Sequence, residues 1–225
     1  YGGFCTTFSR STDRFKMAEL TAGLGSVWQT MGIALKFYSC VASNHTTLDA
    51  LRLMQEEHPF GAADVAKIVV HCTQATAVHV GWKYVPQGLT SAQLNLPYCV
   101  ATLLLDGDVF VDQFSEDRVA DAARMALAEK VEVREDPAYT AKGSKSRHLV
   151  RVEVHLKGGK TMERIVEAGR GNEHNFASEA DVVAKFEKLA IRALPKAQVE
   201  ALRDALLGIE KLADAARVGE LLALG

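Results

Sequence analysis

The stretch RHLVRVEVHLKGGKTMERIVEA, residues 147–168, leaves the chain little choice of local structure. Val150, Val152, Val154 and Leu156 alternate with Arg151, Glu153, His155 and Lys157. Successive side chains of a strand point to opposite faces, so one face is apolar and the other wet. Gly158 and Gly159 supply a hairpin turn into TMERIVEA. An antiparallel pair with one buried face is therefore the anchor for reading the rest.

Other segments add strands and helices around it. VAKIVVHC, residues 65–72, is β-branched and short enough for a strand, and a further short strand is expected at 31–37, MGIALKF. A helix is expected at about 46–57, where Leu48, Leu51 and Met54 recur at helical spacing and Thr46 with Asp49 forms a capping box. TSAQLNLPYCVATLLLDGD reads as one largely buried helix ended by Asp-Gly. RVADAARMALAEKVEVRED reads as an amphipathic helix running into a strand with Val131 and Val133 on one side. After the loop GRGNEHNFAS, Val182, Val183, Phe186, Leu189 and Ala190 mark a helix over 178–193, Pro195 opens the next, and the remainder is helical.

The expected fold is α+β, a small mixed or antiparallel sheet with helices over about the first 170 residues, followed by a helical appendage. Each of those last helices carries an apolar stripe, best buried against further helices. The opening YGGFCTTFSRSTDRF, without an initial methionine, reads as the interior of a longer protein.

Composition narrows the function. An apolar fraction of 48% suits a globular core, and 26 basic against 28 acidic side chains, a net charge of −2, give no global field for nucleic acid or an anionic membrane. No apolar run approaches the roughly eighteen residues of a membrane span, and no secretory signal opens the chain, so a cytoplasmic protein is expected. The cysteines at 5, 40, 72 and 99 form no Cys-x-x-Cys pair, which suggests neither a zinc ribbon nor a disulfide framework. Cys5, Cys72 and Cys99 read as small buried hydrophobes, whereas Cys40 has chemically active neighbours.

Those neighbours lie in ALKFYSCVASNHTTLDAL, residues 34–51. A helix beginning near Thr46 places His45 at or just before its N-cap, where unpaired N–H groups and the positive end of the helix dipole favour an anion and a neutral imidazole. Lys36, before the turn, would bring a cation to the same place, so that a carboxylate meets both a cation and a base. His58, His71, His79, His148, His155 and His174 show no metal-ligand spacing, and no metal site is expected. His79, in TAVHVGWKYVP, follows a strand where site loops often lie. There is no Gly-x-Ser-x-Gly, P-loop or dinucleotide fingerprint, and GLGSVW lacks the preceding strand and the third glycine.

LKFYSCVASNHTTLDAL, DVAKIVVHC, LTSAQLNLPYCVATLLLDGDVFVDQF, EDRVADAARMALAEKVEV and VEAGRGNEHNFASEADVVAKFEKLA, in that order, resemble the C-terminal half of the MmgE/PrpD family. That family includes 2-methylcitrate dehydratase, cis-aconitate decarboxylase and iminodisuccinate epimerase. The resemblance implies a two-domain enzyme without metal or organic cofactor, whose helical domain and smaller α+β lid enclose a cleft for a small di- or tricarboxylate. It also implies that residues 1–172 are the lid and residues 173–225 returning helices of the all-α domain, whose N-terminal half, with an aspartate and a histidine at the cleft, lies outside this sequence. A homodimer is expected.

The family's lid carries a lysine followed nine positions later by a histidine, and Lys36 and His45 match both types and spacing. Decarboxylase relatives place a histidine five residues after the lysine and methylcitrate dehydratases a cysteine. Here that position is Val41, with Cys40 one place earlier, which counts against cis-aconitate decarboxylation and leaves methylcitrate dehydration unsupported. The shared chemistry is proton transfer at a carbon next to a carboxylate. Lys36 and His45 are the expected catalytic pair, and Tyr38, Cys40, Ser43, Asn44 and His79 the expected substrate-binding set, with Cys40 or Tyr38 supplying a proton. Two classes stay open: a dehydratase or epimerase, or a noncatalytic half-chain that binds a complementary helical subunit and supplies part of a shared site.

Overall fold

The computed structural model describes residues 3–223; Tyr1 and Gly2, at the head of the glycine-rich opening, and Leu224 and Gly225 lie outside the described residues. The chain divides after Ile33 into two units. In the first, the short helix α1 (Phe4–Ser9) is followed by 3-10 turns at Met17–Leu20 and Gln29–Gly32. Phe8 is 76% exposed and Trp28 69%, and no described side chain of this unit is buried, so it has no core of its own.

The second unit is built on a four-stranded sheet of β1 (Val65–Cys72), β2 (Val131–Glu135), β3 (Val150–Leu156) and β4 (Thr161–Val166), in the order β2-β1-β3-β4. β1 runs parallel to β2 and antiparallel to β3, and β3 pairs antiparallel with β4, which makes the sheet mixed. Register puts Ile68 opposite Val131 and Val154, and Val70 opposite Val133 and Val152. A continuous apolar face results. It is covered by α2 (His45–Glu57) and, beside it, α5 (Leu96–Asp106), whose Leu48, Leu51, Tyr98 and Leu103 share one core with β1 and β3. The opposite face carries His71, Arg151, Glu153 and Glu163 in a charged lattice, with His71 Nε2 3.0 Å from Glu153 and Arg151 2.7 Å from Glu163.

The parallel β1–β2 connection needs a crossover. It is made by α3 (Gln74–Val80), α4 (Leu89–Leu94), α5, α6 (Glu116–Val119) and α7 (Ala122–Ala128), and α8 (Pro137–Thr140) lies in the link from β2 to β3. The chain ends in α9 (Glu179–Ala190), α10 (Lys196–Leu207) and α11 (Ala216–Leu222), around a small cluster of Leu194, Val199, Leu202 and Leu221. Among the described residues no helix is long and apolar enough to cross a membrane.

The α+β class, the hairpin, β1 and the terminal helices match the sequence expectation; the one helix expected over RVADAARMALAEK is broken between α6 and α7, where Asp121 caps the second, and three further local readings are corrected. The segment at 31–37 is not a strand: Gly32 closes a 3-10 turn, and the residues after it reach the rest of the second unit through a backbone bond from Leu35 N–H to the Gly171 carbonyl, 2.9 Å, rather than a ladder. An apolar run becomes a strand only where a neighbour supplies its ladder partners. The capping box at Thr46 is absent, because a 3-10 turn at Ala42–Asn44 leads into α2 and Asp49 is engaged by distant residues. The long buried helix is two helices, since Asn95 caps the second by accepting from Tyr98 N–H at 2.8 Å and Pro97 sits in its first turn.

Candidate functional site

Residues 34–45 are held from both sides. On one side Gly171 adopts φ 89°, and a Cβ there would stand 2.8 Å from the Leu35 carbonyl oxygen and 2.8 Å from the Phe37 ring, so only glycine lets this loop close on the segment. The Arg170 guanidinium stacks on the Phe37 ring at 4.4 Å, and its backbone N–H donates to Asp49 Oδ2 at 2.8 Å. On the other side Gln93 donates to the Ser39 carbonyl at 3.0 Å, and Val41 N–H donates to the Gln93 carbonyl at 3.1 Å.

So held, the segment turns Lys36 and His45 toward one atom. Lys36 Nζ donates to the Cys40 carbonyl oxygen at 3.4 Å, and His45 Nε2 lies 3.3 Å from the same oxygen. A carbonyl only accepts, so the imidazole proton is on Nε2 and both groups present hydrogen-bond donors side by side. His45 is the first helical residue of α2 and is buried; Lys36 and Cys40 line a cavity of 520 Å³ with Tyr38, Thr90, Gln93 and Val111. The two side chains thus meet at the Cys40 carbonyl, although His45 is not among the residues that line the cavity of Lys36.

The other expected residues fall into distinct environments. Tyr38 is buried edge-on against the His45 ring, at 5.1 Å between centroids, and donates to Asp49 Oδ1 at 2.7 Å. Burial and the Asp49 charge push its phenol far above the usual range, so Tyr38 is a fixed donor and a poor acid. The Cys40 thiol is lowered to about 6, chiefly by a hydrogen bond from the Cys99 thiol and further by His45 and Asn44, against the opposing effect of burial. Cys99 is pushed up in turn by burial and by Cys40. Asn44 is fully buried and not among the residues lining the cavity, its amide 3.3 Å from Cys99 Sγ and 3.4 Å from the Gln93 carbonyl. Ser43 Oγ lies 3.1 Å from His79 Nδ1. His79 is on helix α3 rather than in a loop after the strand, and it lines a second cavity, of 760 Å³.

Three contributors had no signal in the sequence. Asp49 joins Tyr38 to Arg170, Gln93 fixes residues 39 and 41, and Arg147 stands 3.4 Å from His79. Each acts across a long sequence separation, where local pattern is silent. Among the described residues no group of three or more His, Cys, Asp or Glu side chains could hold a metal ion.

A family model, the MmgE/PrpD C-terminal domain, matches residues 38–210. The chain is 29% identical over its whole length to a cis-aconitate decarboxylase-like protein, oryM, of Aspergillus oryzae (strain ATCC 42149 / RIB 40), covering 47% of that protein. It is 27% identical over 99% of its length to the cis-aconitate decarboxylase of Aspergillus terreus, again covering 47% of the relative. The chain thus spans about half the length of the curated relatives it matches.

Proposed function

This chain belongs to the MmgE/PrpD family, and from that membership we propose that its residues 1–172 form the lid of a lyase or isomerase that moves a proton at the carbon next to a carboxylate of a small di- or tricarboxylate. The observation that carries the reading is the meeting of Lys36 Nζ and His45 Nε2 on the Cys40 carbonyl. Two donors, one of them a full cation, held at one point suit the charge that builds on a carboxylate when the adjacent carbon becomes carbanion-like. An arriving carboxylate oxygen competes with the neutral carbonyl for both donors and wins on charge.

Cys40 supplies the complementary function. Its thiol is shifted toward the thiolate and lines the same cavity as Lys36, and in the thiolate form it accepts the proton from the substrate carbon and can return it. Tyr38, locked to Asp49, orients His45 instead of exchanging protons. The relatives' names point to cis-aconitate as the first substrate to try. Val41, standing where decarboxylases carry histidine, points instead toward dehydration or epimerisation. The carbanion-like step beside a carboxylate is common to all three. On this reading residues 173–225 are returning helices of a larger helical domain, which supplies the opposite wall of the cleft.

The test uses the protein expressed from its complete reading frame, assayed with cis-aconitate and hydroxylated polycarboxylates by proton NMR in deuterated water. Lys36→Ala is expected to lower turnover or deuterium incorporation by about 10² to 10⁴. Because the Cys40 thiol is depressed, its base form is lost as pH falls through about 6, and activity follows it down on that limb. A Lys36→Ala enzyme within a factor of two of wild type would sink the reading.

A further inference from the structure

Among the described residues of the second unit, every arginine but one has a carboxylate within ion-pair distance. The exception is Arg147, whose guanidinium Nη2 meets His79 Nδ1 at 3.4 Å. Its main chain is nevertheless firmly placed. The Arg147 carbonyl accepts from the hydroxyls of Thr73 at 2.9 Å and Thr76 at 2.8 Å, both buried. The loop that opens β3 is thereby pinned to α3, while the guanidinium lines the 760 Å³ cavity with His79, Gln74, Thr140 and Ser144.

This cavity shares no lining residue with that of Lys36, and His79 links it to the segment that carries His45. His79 Nδ1 faces Arg147 and also Ser43 Oγ, and Ser43 lies two residues before His45. A guanidinium only donates, so Nδ1 is an acceptor, the ring proton is on Nε2, and His79 braces the fork without competing for an anion. His148 is held below its ordinary range by burial and then by Arg147, His45 and His79, so each of these three basic groups is felt at His148. A substrate with three carboxylates needs more than the single ammonium of Lys36 to be held in register, and a planar guanidinium without a carboxylate partner is the group best shaped for bidentate carboxylate binding.

We infer that Arg147, braced by His79, is a specificity-determining residue that binds the third carboxylate of a tricarboxylate substrate, the one remote from the carbon where Lys36 and His45 act. The inference rests on the polycarboxylate reading above. It assigns Lys36 to the reacting carboxylate and Arg147 to the count and spacing of the others, so that loss of Arg147 weakens binding in ground and transition state alike.

The experiment compares wild type, Arg147→Ala, Arg147→Lys and Lys36→Ala from the complete reading frame, with cis-aconitate and with maleate, which lacks the third carboxylate. Thermal shifts with each anion and size-exclusion profiles are recorded beside the kinetics. Arg147→Ala is expected to raise KM or Kd for cis-aconitate by about 10- to 100-fold, as loss of a charged hydrogen-bond pair does, with kcat changed far less. Maleate binding should change less than about threefold, and Arg147→Lys should recover part of the loss. An unchanged KM in Arg147→Ala overturns the inference, and so does an altered oligomeric state or melting temperature with unchanged KM, which makes Arg147 an ion-pair partner for another protein segment. If Lys36→Ala silences turnover while Arg147→Ala does not alter KM, only this inference falls. A wild type that neither binds nor turns over cis-aconitate removes the functional reading with it.

Discussion

In the strands between Val65 and Val166 and the helices packed on them most apolar side chains turn inward, whereas from Glu179 to Leu222 many face out. Val65, Ile68, Val70, Val150, Val152 and Val154 are essentially inaccessible. In α9 no residue is buried; Val182 is 41% exposed, Leu189 42% and, in α11, Leu222 56%. Composition does not explain the contrast, because both regions carry regular apolar patterns. The sheet finds its cover in α2 and α5, while the terminal helices bury only Leu194, Val199, Leu202 and Leu221 against one another. The tail is attached by charge instead: Lys188 pairs with Asp108, Arg192 with Asp112 and, at 2.9 Å, Asp181 with Arg170. A surface of this kind is complete only when something covers it.

The largest effect that would break this comparison is a pair of core truncations in the 225-residue chain. Leu51, fully buried between α2 and the sheet, should cost about 2 to 5 kcal/mol as Leu51→Ala, and Leu206→Ala in α10 about 0.5 kcal/mol or less, because a side chain 37% exposed loses few partners. Denaturant midpoints give both values. Equal costs would mean that the terminal helices are already covered and that the contrast is illusory.

A smaller effect sharpens the same contrast at the site. Gly171 lies just before the tail but governs the segment that carries Lys36. Gly171→Ala places a Cβ at φ 89° and 2.8 Å from the Leu35 carbonyl, which should cost about 2 kcal/mol from the backbone conformation alone. Since the clash falls on the residue before Lys36, activity should fall further than stability predicts. A variant that loses stability while retaining full turnover would show that Lys36 is positioned independently of this loop.

How much of this was legible in the sequence follows the range of the interactions. Alternation in β3 and β4 is written over a few residues, and so is the stripe of α2, and both were readable. The spacing of Lys36 and His45 was readable too, because a turn of that length cannot carry them far apart. The strand expected at 31–37 failed because pairing is decided by distant neighbours, and here Gly171 supplied one bond in place of a ladder. The capping box failed for the same reason: Asp49 has a local partner in principle, but Tyr38 and Arg170 hold it. Arg147 was invisible because its significance is the lack of a carboxylate beside it, which only the packed chain reveals.

The smallest effect concerns the charged attachment of the tail. Lys188 and Arg192 are 44% and 40% exposed at the side chain, so their pairs with Asp108 and Asp112 work in high dielectric, each contributing about 0.2 to 1 kcal/mol at low salt. Lys188 also lies 4.1 Å from the Phe110 ring centroid, a contact that salt weakens less because it is partly desolvated. Raising ionic strength to about 1 M shortens the screening length to about 3 Å and should remove most of the ion-pair share. Amide exchange in α9 should then accelerate by up to about fivefold, while β1 and β3, held by apolar burial, keep their protection. Asp108→Asn should reproduce part of the α9 effect at low salt and abolish its salt dependence in proportion. If β1 and α9 respond to salt alike, the tail is not held by charge, and the contrast between the two regions must rest on something other than how each is fastened.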